Sequence, residues 1–121
     1  LKLKIELDCI PPSTNHAYKK RGNGYGMYMT RTAKEFKEYA AYKALKIVRK
    51  YKVNPFPNDK KFYKLHFEFH FKNRRHPDPN NLLKILIDSL EGIVFENDRN
   101  IDVSTTSKIT GKEKTIIFWE R

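Results

Sequence analysis

The sequence predicts an α+β domain: a single small mixed β-sheet with two helices packed on it, in the order β-α-β-α-β-β-β. Three observations carry that expectation. Leu1 to Asp8 and Phe62 to Lys72 both alternate apolar with polar residues, the period of a strand with one buried face. Apolar residues recur at helical spacing through Phe36, Ala40, Ala44, Ile47, Val48 and Tyr51, and again through Leu82, Leu83, Leu86, Ile87 and Leu90. At 121 residues the chain is long enough for one modest core, and residues 1–121 are read as a single domain.

Taken in order, the first strand ends at Ile10-Pro-Pro-Ser-Thr-Asn15, where consecutive prolines donate no backbone hydrogen bond and favour an extended connector. Lys19-Lys-Arg-Gly-Asn-Gly24 follows, a basic loop flanked by Tyr18, Tyr25 and Tyr28. Basic residues among aromatics suit a loop that tracks phosphates, and they equally suit a solvated surface. Thr32-Ala-Lys-Glu35 has the form of a capping box, so the first helix is expected from there to about Lys52. Its outer face is basic, through Lys37, Lys43, Lys46, Arg49 and Lys50. Pro55 and Pro57 mark a loop before the strand that carries Leu65, Phe67, Phe69 and Phe71 on one face. On its other face His66 and His70 stand about 13 Å apart, too far to chelate one ion, and both are expected to be exposed.

A second helix is expected from Pro79 to about Glu91, with Asp78 as its N-cap, proline at its first position and Gly92 just past its end. Ile93-Val-Phe95 reads as a short strand. Ile101 to Ile109 and Lys114 to Trp119 read as two more, joined as a hairpin around Thr110-Gly-Lys112.

Charge divides the chain. There are 25 Lys and Arg against 14 Asp and Glu, a net charge of +11, and the pI is near 9.8, which points to an anionic partner such as nucleic acid. Yet Asp78, Asp88, Glu91, Glu96, Asp98 and Asp102 fall within residues 74–102. Roughly twelve helical residues travel about 18 Å away from Asp78, and about six extended residues travel about 20 Å. An antiparallel return would therefore set Asp98 beside Asp78. Two carboxylates at the edge of a basic surface are what metal-assisted phosphodiester hydrolysis needs, because a hard divalent ion binds them together with water and phosphate oxygens. The plainer alternative is that Asp78 caps a helix and Asp98 makes a turn. Asn81, Lys84 and Asp88 share one polar stripe of the second helix, where Lys84 and Asp88 have ion-pair spacing.

No apolar run reaches transmembrane length, and none resembles a secretory leader. The single cysteine, Cys9, cannot form an intrachain disulfide and is expected to be a structural thiol. A reducing, cytoplasmic location is expected, with no membrane partner. There is no phosphate-binding glycine loop, dinucleotide fingerprint, zinc-spaced cluster or nucleophile elbow.

Pro11-Pro-Ser-Thr-Asn15, the basic loop ahead of a Thr-led helix, Asp78-Pro-Asn-Asn81-Leu-Leu-Lys84-Ile-Leu-Ile-Asp88 and the later Asn97-Asp98 together resemble the RusA family of Holliday-junction resolvases. The likeness spans nearly the whole chain. It implies a homodimeric endodeoxyribonuclease that uses magnesium, or manganese in its place, to make paired nicks in four-way DNA junctions during recombination and repair. It also implies a bacterial cell or a phage-infected bacterium as the setting. The family motif is Asp-x-Asp-Asn-x-x-Lys-x-x-x-Asp followed by a later Asp-Asp pair. By that resemblance Asp78 and Asp98 are metal-binding acids, Lys84 is required for cleavage, and Asn81 and Asp88 are supporting residues. Asn15, Lys19, Lys20, Arg21, Arg74 and Arg75 are the expected DNA contacts. Two positions depart: Asn80 stands where the motif has its second acid, and Asn97 where the later pair has its first.

An amide oxygen at Asn80 can still ligate magnesium, so Asn80 stays in the expected catalytic and metal sets, but it brings no charge. A variant that keeps activity, a binder that has lost it and a deliberate inactivating substitution all fit. Glu96 or Asp102 would be candidates to supply the missing charge. The competing function is a non-catalytic nucleic-acid-binding protein whose acids are structural, and a weaker third is a structural protein of a phage particle.

Overall fold

The structure, a computed structural model, describes residues 1–22 and 24–121, so Asn23 of the basic loop lies outside the described residues. Strand β1 is Lys2–Leu7, helix α1 Thr14–Ala17, β2 Tyr18–Lys20, β3 Met27–Met29, helix α2 Arg31–Tyr51, and β4 Tyr63–Phe71. A 3-10 turn at Pro79–Leu82 leads into helix α3, Leu83–Leu90; a second at Asp98–Asn100 leads into β5, Ile101–Ile109, and β6 is Lys114–Glu120. The α+β class holds, with one mixed four-stranded sheet. α1 and the small antiparallel β2–β3 pair were not expected from the pattern.

The sheet runs β1-β6-β4-β5. β4 takes the inside because Leu65, Phe67, Phe69 and Phe71 all bury on one face, whereas β5 is mostly Ser, Thr and Lys and suits an edge. β5 pairs parallel with β4, Tyr63 opposite Ile101 and Phe71 opposite Ile109, while β6 pairs antiparallel on β4's other side. The expected β5–β6 hairpin is therefore corrected. Residues 110–113 carry the chain around the end of β4, where the Thr110 amide donates to the Phe71 carbonyl at 3.0 Å and Gly111 turns at φ +82. β4, α3 and β5 make a parallel crossover unit, which needs a helix to return the chain to the start of the sheet.

Ile93-Val-Phe95 is not a strand. Val94 and Phe95 are buried, and Phe95 makes only isolated bridges to Phe56 and Glu91; the apolar run anchors a turn beneath the sheet instead. The start of α2 is also corrected: Thr30, not Thr32, is the N-cap, its hydroxyl accepting from the Ala33 amide at 3.3 Å, and Glu35 pairs with Arg31. α2 and α3 cover one face of the sheet and bury Phe36, Ala40, Ala44, Ile85, Leu86 and Leu90 against it. Cys9 is half-buried at the end of β1, and burial pushes its thiol pKa up, consistent with a structural role. No helix among the described residues is long and apolar enough to cross a membrane.

Among the described residues the opposite sheet face carries no helix of its own. There the expectation of exposed histidines is corrected: His66 is bracketed by the Ser104 and Thr106 hydroxyls at 2.7 and 2.9 Å, and His70 sits 2.7 Å from Glu68, which Lys108 also meets at 3.1 Å.

Candidate active site

Asp78 is positioned by the loop leaving β4. His76 stacks on buried Phe71, ring centroids 3.9 Å apart, and so ties the loop to the end of the strand. Pro79 fixes the first position of the turn, and Asp78 caps it as expected, its Oδ1 accepting from the Asn80 amide at 3.0 Å. The other carboxylate oxygen has no hydrogen-bond partner among the described residues, and both Asp78 and Asn80 are exposed. Capping thus uses half of this carboxylate and leaves half available.

The polar stripe of α3 is present, but its ion pair is not. Tyr18 comes between: the Lys84 Nζ lies 4.3 Å from the centre of the Tyr18 ring, and the Tyr18 hydroxyl donates to Asp88 Oδ2 at 2.5 Å. Burial, reinforced by the bond to Asp88, pushes the Tyr18 pKa far up, so the hydroxyl remains a donor across the physiological range. The Thr14 hydroxyl adds a bond of 2.9 Å to the Asn81 carbonyl. Together these contacts dock α1 and β2 on α3 and bring the Tyr18 ring against the exposed Lys84 ammonium. Sequence reading missed Tyr18 as a site residue, because its partners lie about seventy positions away and no local pattern joins them.

The expected DNA contacts are exposed residues of the segments that flank this site in the chain. Asn15 on α1, Lys19 and Lys20 on β2, Arg21 just after it, and Arg74 and Arg75 in the loop before Asp78 are all exposed. Arg74 and Arg75 precede the Asp78 turn in the chain, and Lys19 and Lys20 follow Tyr18, whose hydroxyl and ring meet α3.

Asp98 is elsewhere. It opens the 3-10 turn before β5, and two residues on, the Asn100 amide donates to the carbonyls of Pro57 and Lys61 at 2.9 and 3.0 Å, near the start of β4. Asp78 follows the Phe71 end of β4 and Asp98 precedes the Tyr63 end, and nine residues of strand separate those ends by about 26 Å. The expectation that one chain brings Asp78 and Asp98 together is corrected. The predicted return strand does not form, and a parallel crossover carries the chain from one end of the sheet to the other. Glu96, which accepts from the Asn58 amide, and Asp102, in register with Lys64, share the Asp98 end and cannot supply charge at Asp78 in the same chain. Among the described residues no three acidic, His or Cys side chains form a metal-binding group.

The family model described as Endodeoxyribonuclease RusA matches residues 9–118, from the end of β1 to β6. The chain belongs to the RusA endodeoxyribonuclease family. No curated protein matches it. At the level of the RusA family, membership carries an endodeoxyribonuclease function directed at Holliday junctions. The RusA match includes the arm with Tyr18, the Asp78 turn, Lys84 and the distant Asp98.

Proposed function

We propose that the chain is a divalent-metal-dependent Holliday-junction resolvase acting as a homodimer, each active site being completed by two copies. The observation that carries this reading is, in a RusA-family chain, a half-free Asp78 carboxylate at the turn that leads into α3, whose exposed Lys84 lies against the Tyr18 ring. The donor set fits magnesium or manganese as hard oxygen ligands, Asp78 through its carboxylate and Asn80 through its amide oxygen. The second carboxylate is Asp98 of the other copy. In a two-fold dimer any contact between one region of the first chain and a different region of its partner occurs twice, so the Phe71 end of each chain can meet the Tyr63 end of the other.

A bound ion would supply an activated water and neutralise charge on the phosphate. The chain's own residues do the rest. Arg74, Arg75, Lys19, Lys20, Arg21 and Asn15 hold the backbone of the branched DNA. Lys84, steadied by the Tyr18 ring, donates to a non-bridging phosphate oxygen, and Asp88 keeps Tyr18 in position. Asn80 ligates without charge, so the metal is held weakly and activity is reduced rather than lost. Acting on cellular or phage DNA places the enzyme in the bacterial cytoplasm.

The test is nicking of a synthetic immobile four-way junction in magnesium. Symmetric nicks from this chain, absent from Asp78→Asn and Asp98→Asn while junction binding persists, are expected. Binding without nicking from both this chain and Asn80→Asp would leave a junction-binding protein only.

A further inference from the structure

The ladder between β4 and β6 stops at His66 opposite Phe118, although β4 begins at Tyr63 and β6 runs on to Glu120. The two strands therefore part at the Tyr63 end of the sheet, and a cleft of about 500 Å³ opens there. Aromatic side chains dominate its walls: Phe62, Tyr63 and Phe118 reach the surface, and the buried Phe56 and Trp119 lie behind them. One wall is already a stack, with the Arg121 guanidinium 4.8 Å from the centre of the Phe56 ring and that ring 4.6 Å from Tyr63 at 20°. Phe62 stands 76 % exposed, a large apolar ring that the fold does not cover. Lys2 and Lys64 line the same opening against a single carboxylate, Glu120.

We infer that this cleft takes one unpaired nucleobase of the DNA substrate, stacked on its aromatic walls with the flanking phosphates on Lys2 and Lys64. Flat rings select a flat ring, and the basic rim selects one joined to an anion, the combination a nucleotide in a single strand presents. Beyond the last β4–β6 pair, β4 stays paired with β5 and β6 with β1, and only the edges that the two strands turn toward each other are unpaired. The volume lies within the range of about 300–1,000 Å³ typical of small-ligand sites. A base held here also lies at the Asp98 end, where the proposed dimer brings the scissile strand, and to that extent the inference rests on the nuclease reading.

Trp119 is the chain's one tryptophan and lines the cleft, so its fluorescence reports occupancy directly. Without metal, a short oligodeoxythymidylate is expected to quench it saturably, and an abasic strand of equal length is expected to bind through its phosphates without quenching. Phe62→Ala, at an exposed position that leaves folding intact, is expected to weaken oligodeoxythymidylate binding by roughly tenfold and leave abasic binding unchanged. Equal quenching by both strands, wild-type affinity in Phe62→Ala, or quenching that follows protein concentration alone, as self-association through the cleft would give, overturns the proposal. Junction nicking read in parallel separates the two claims. Nicks without base-dependent quenching remove the cleft, and base-dependent quenching without nicks removes the nuclease.

Discussion

Asp78 caps its turn with only one of its two carboxylate oxygens. One oxygen accepts the Asn80 amide and starts the turn, and the other remains for a ligand. Restoring a charge two residues on should strengthen that ligand set, so Asn80→Asp is expected to lower the magnesium concentration for half-maximal nicking by about tenfold, equivalent to ~1.4 kcal/mol. A metal titration of the nicking rate checks it. Lys84→Met, which keeps the side chain's length and removes its charge, is expected to cut the nicking rate by roughly 10²-fold or more while junction affinity changes little. Tyr18 acts only through Lys84 and Asp88. Tyr18→Phe keeps the ring under the ammonium and loses the bond to Asp88, so a roughly tenfold fall in kcat with KM unchanged is the expected signature of a positioning residue, read from single-junction kinetics.

The elements owe their limits to single side chains. Thr30 starts α2 by accepting from Ala33, whereas Thr32 is an exposed residue of the first turn. Thr30→Ala is expected to cost about 1 kcal/mol and Thr32→Ala close to nothing, measured by chemical denaturation. On the open face of the sheet, hydrogen bonds from His70 and then Lys108 hold the Glu68 carboxyl below the usual glutamate range. A depressed carboxylate pKa contributes stability that is complete above the unfolded value and is lost as pH falls through the folded one. Denaturation midpoints should therefore drop on acidification below the ordinary glutamate range, and Glu68→Gln should flatten that part of the profile.

At the scale of the molecule, the parallel crossover is what leads to the proposed two-chain site. β4 ends beside Asp78, α3 carries the chain back, and β5 begins beside Asp98, so one chain holds the two acids apart. The proposed sharing of sites makes a specific prediction for mixtures. When Asp78→Asn and Asp98→Asn chains exchange subunits, each mixed dimer contains one site with both acids intact and one with neither. Nicking is expected to return, one strand per binding event, although neither variant cuts alone. No recovery after confirmed exchange would place each site within one chain, against the register of β4 and β5.

Much of this protein is legible in the order of its residues. Period-two alternation marked β1 and β4, helical spacing marked α2 and α3, and Asp78-Pro79 marked the turn, because each depends on neighbours a few positions apart. The motif from Asp78 to Asp88 also pointed to the family that residues 9–118 match. Strand order was decided only by the tertiary structure. Whether β5 pairs with β6 or lets β4 between them depends on which strand buries two neighbours best, and β4, with four fully buried side chains, takes that place. The same choice moved Asp98 to the far end of the sheet, and the docking of β2 on α3 separately set Tyr18 between Lys84 and Asp88. Local spacing encodes how a segment folds; which distant segments meet is settled by burial competing across the whole chain.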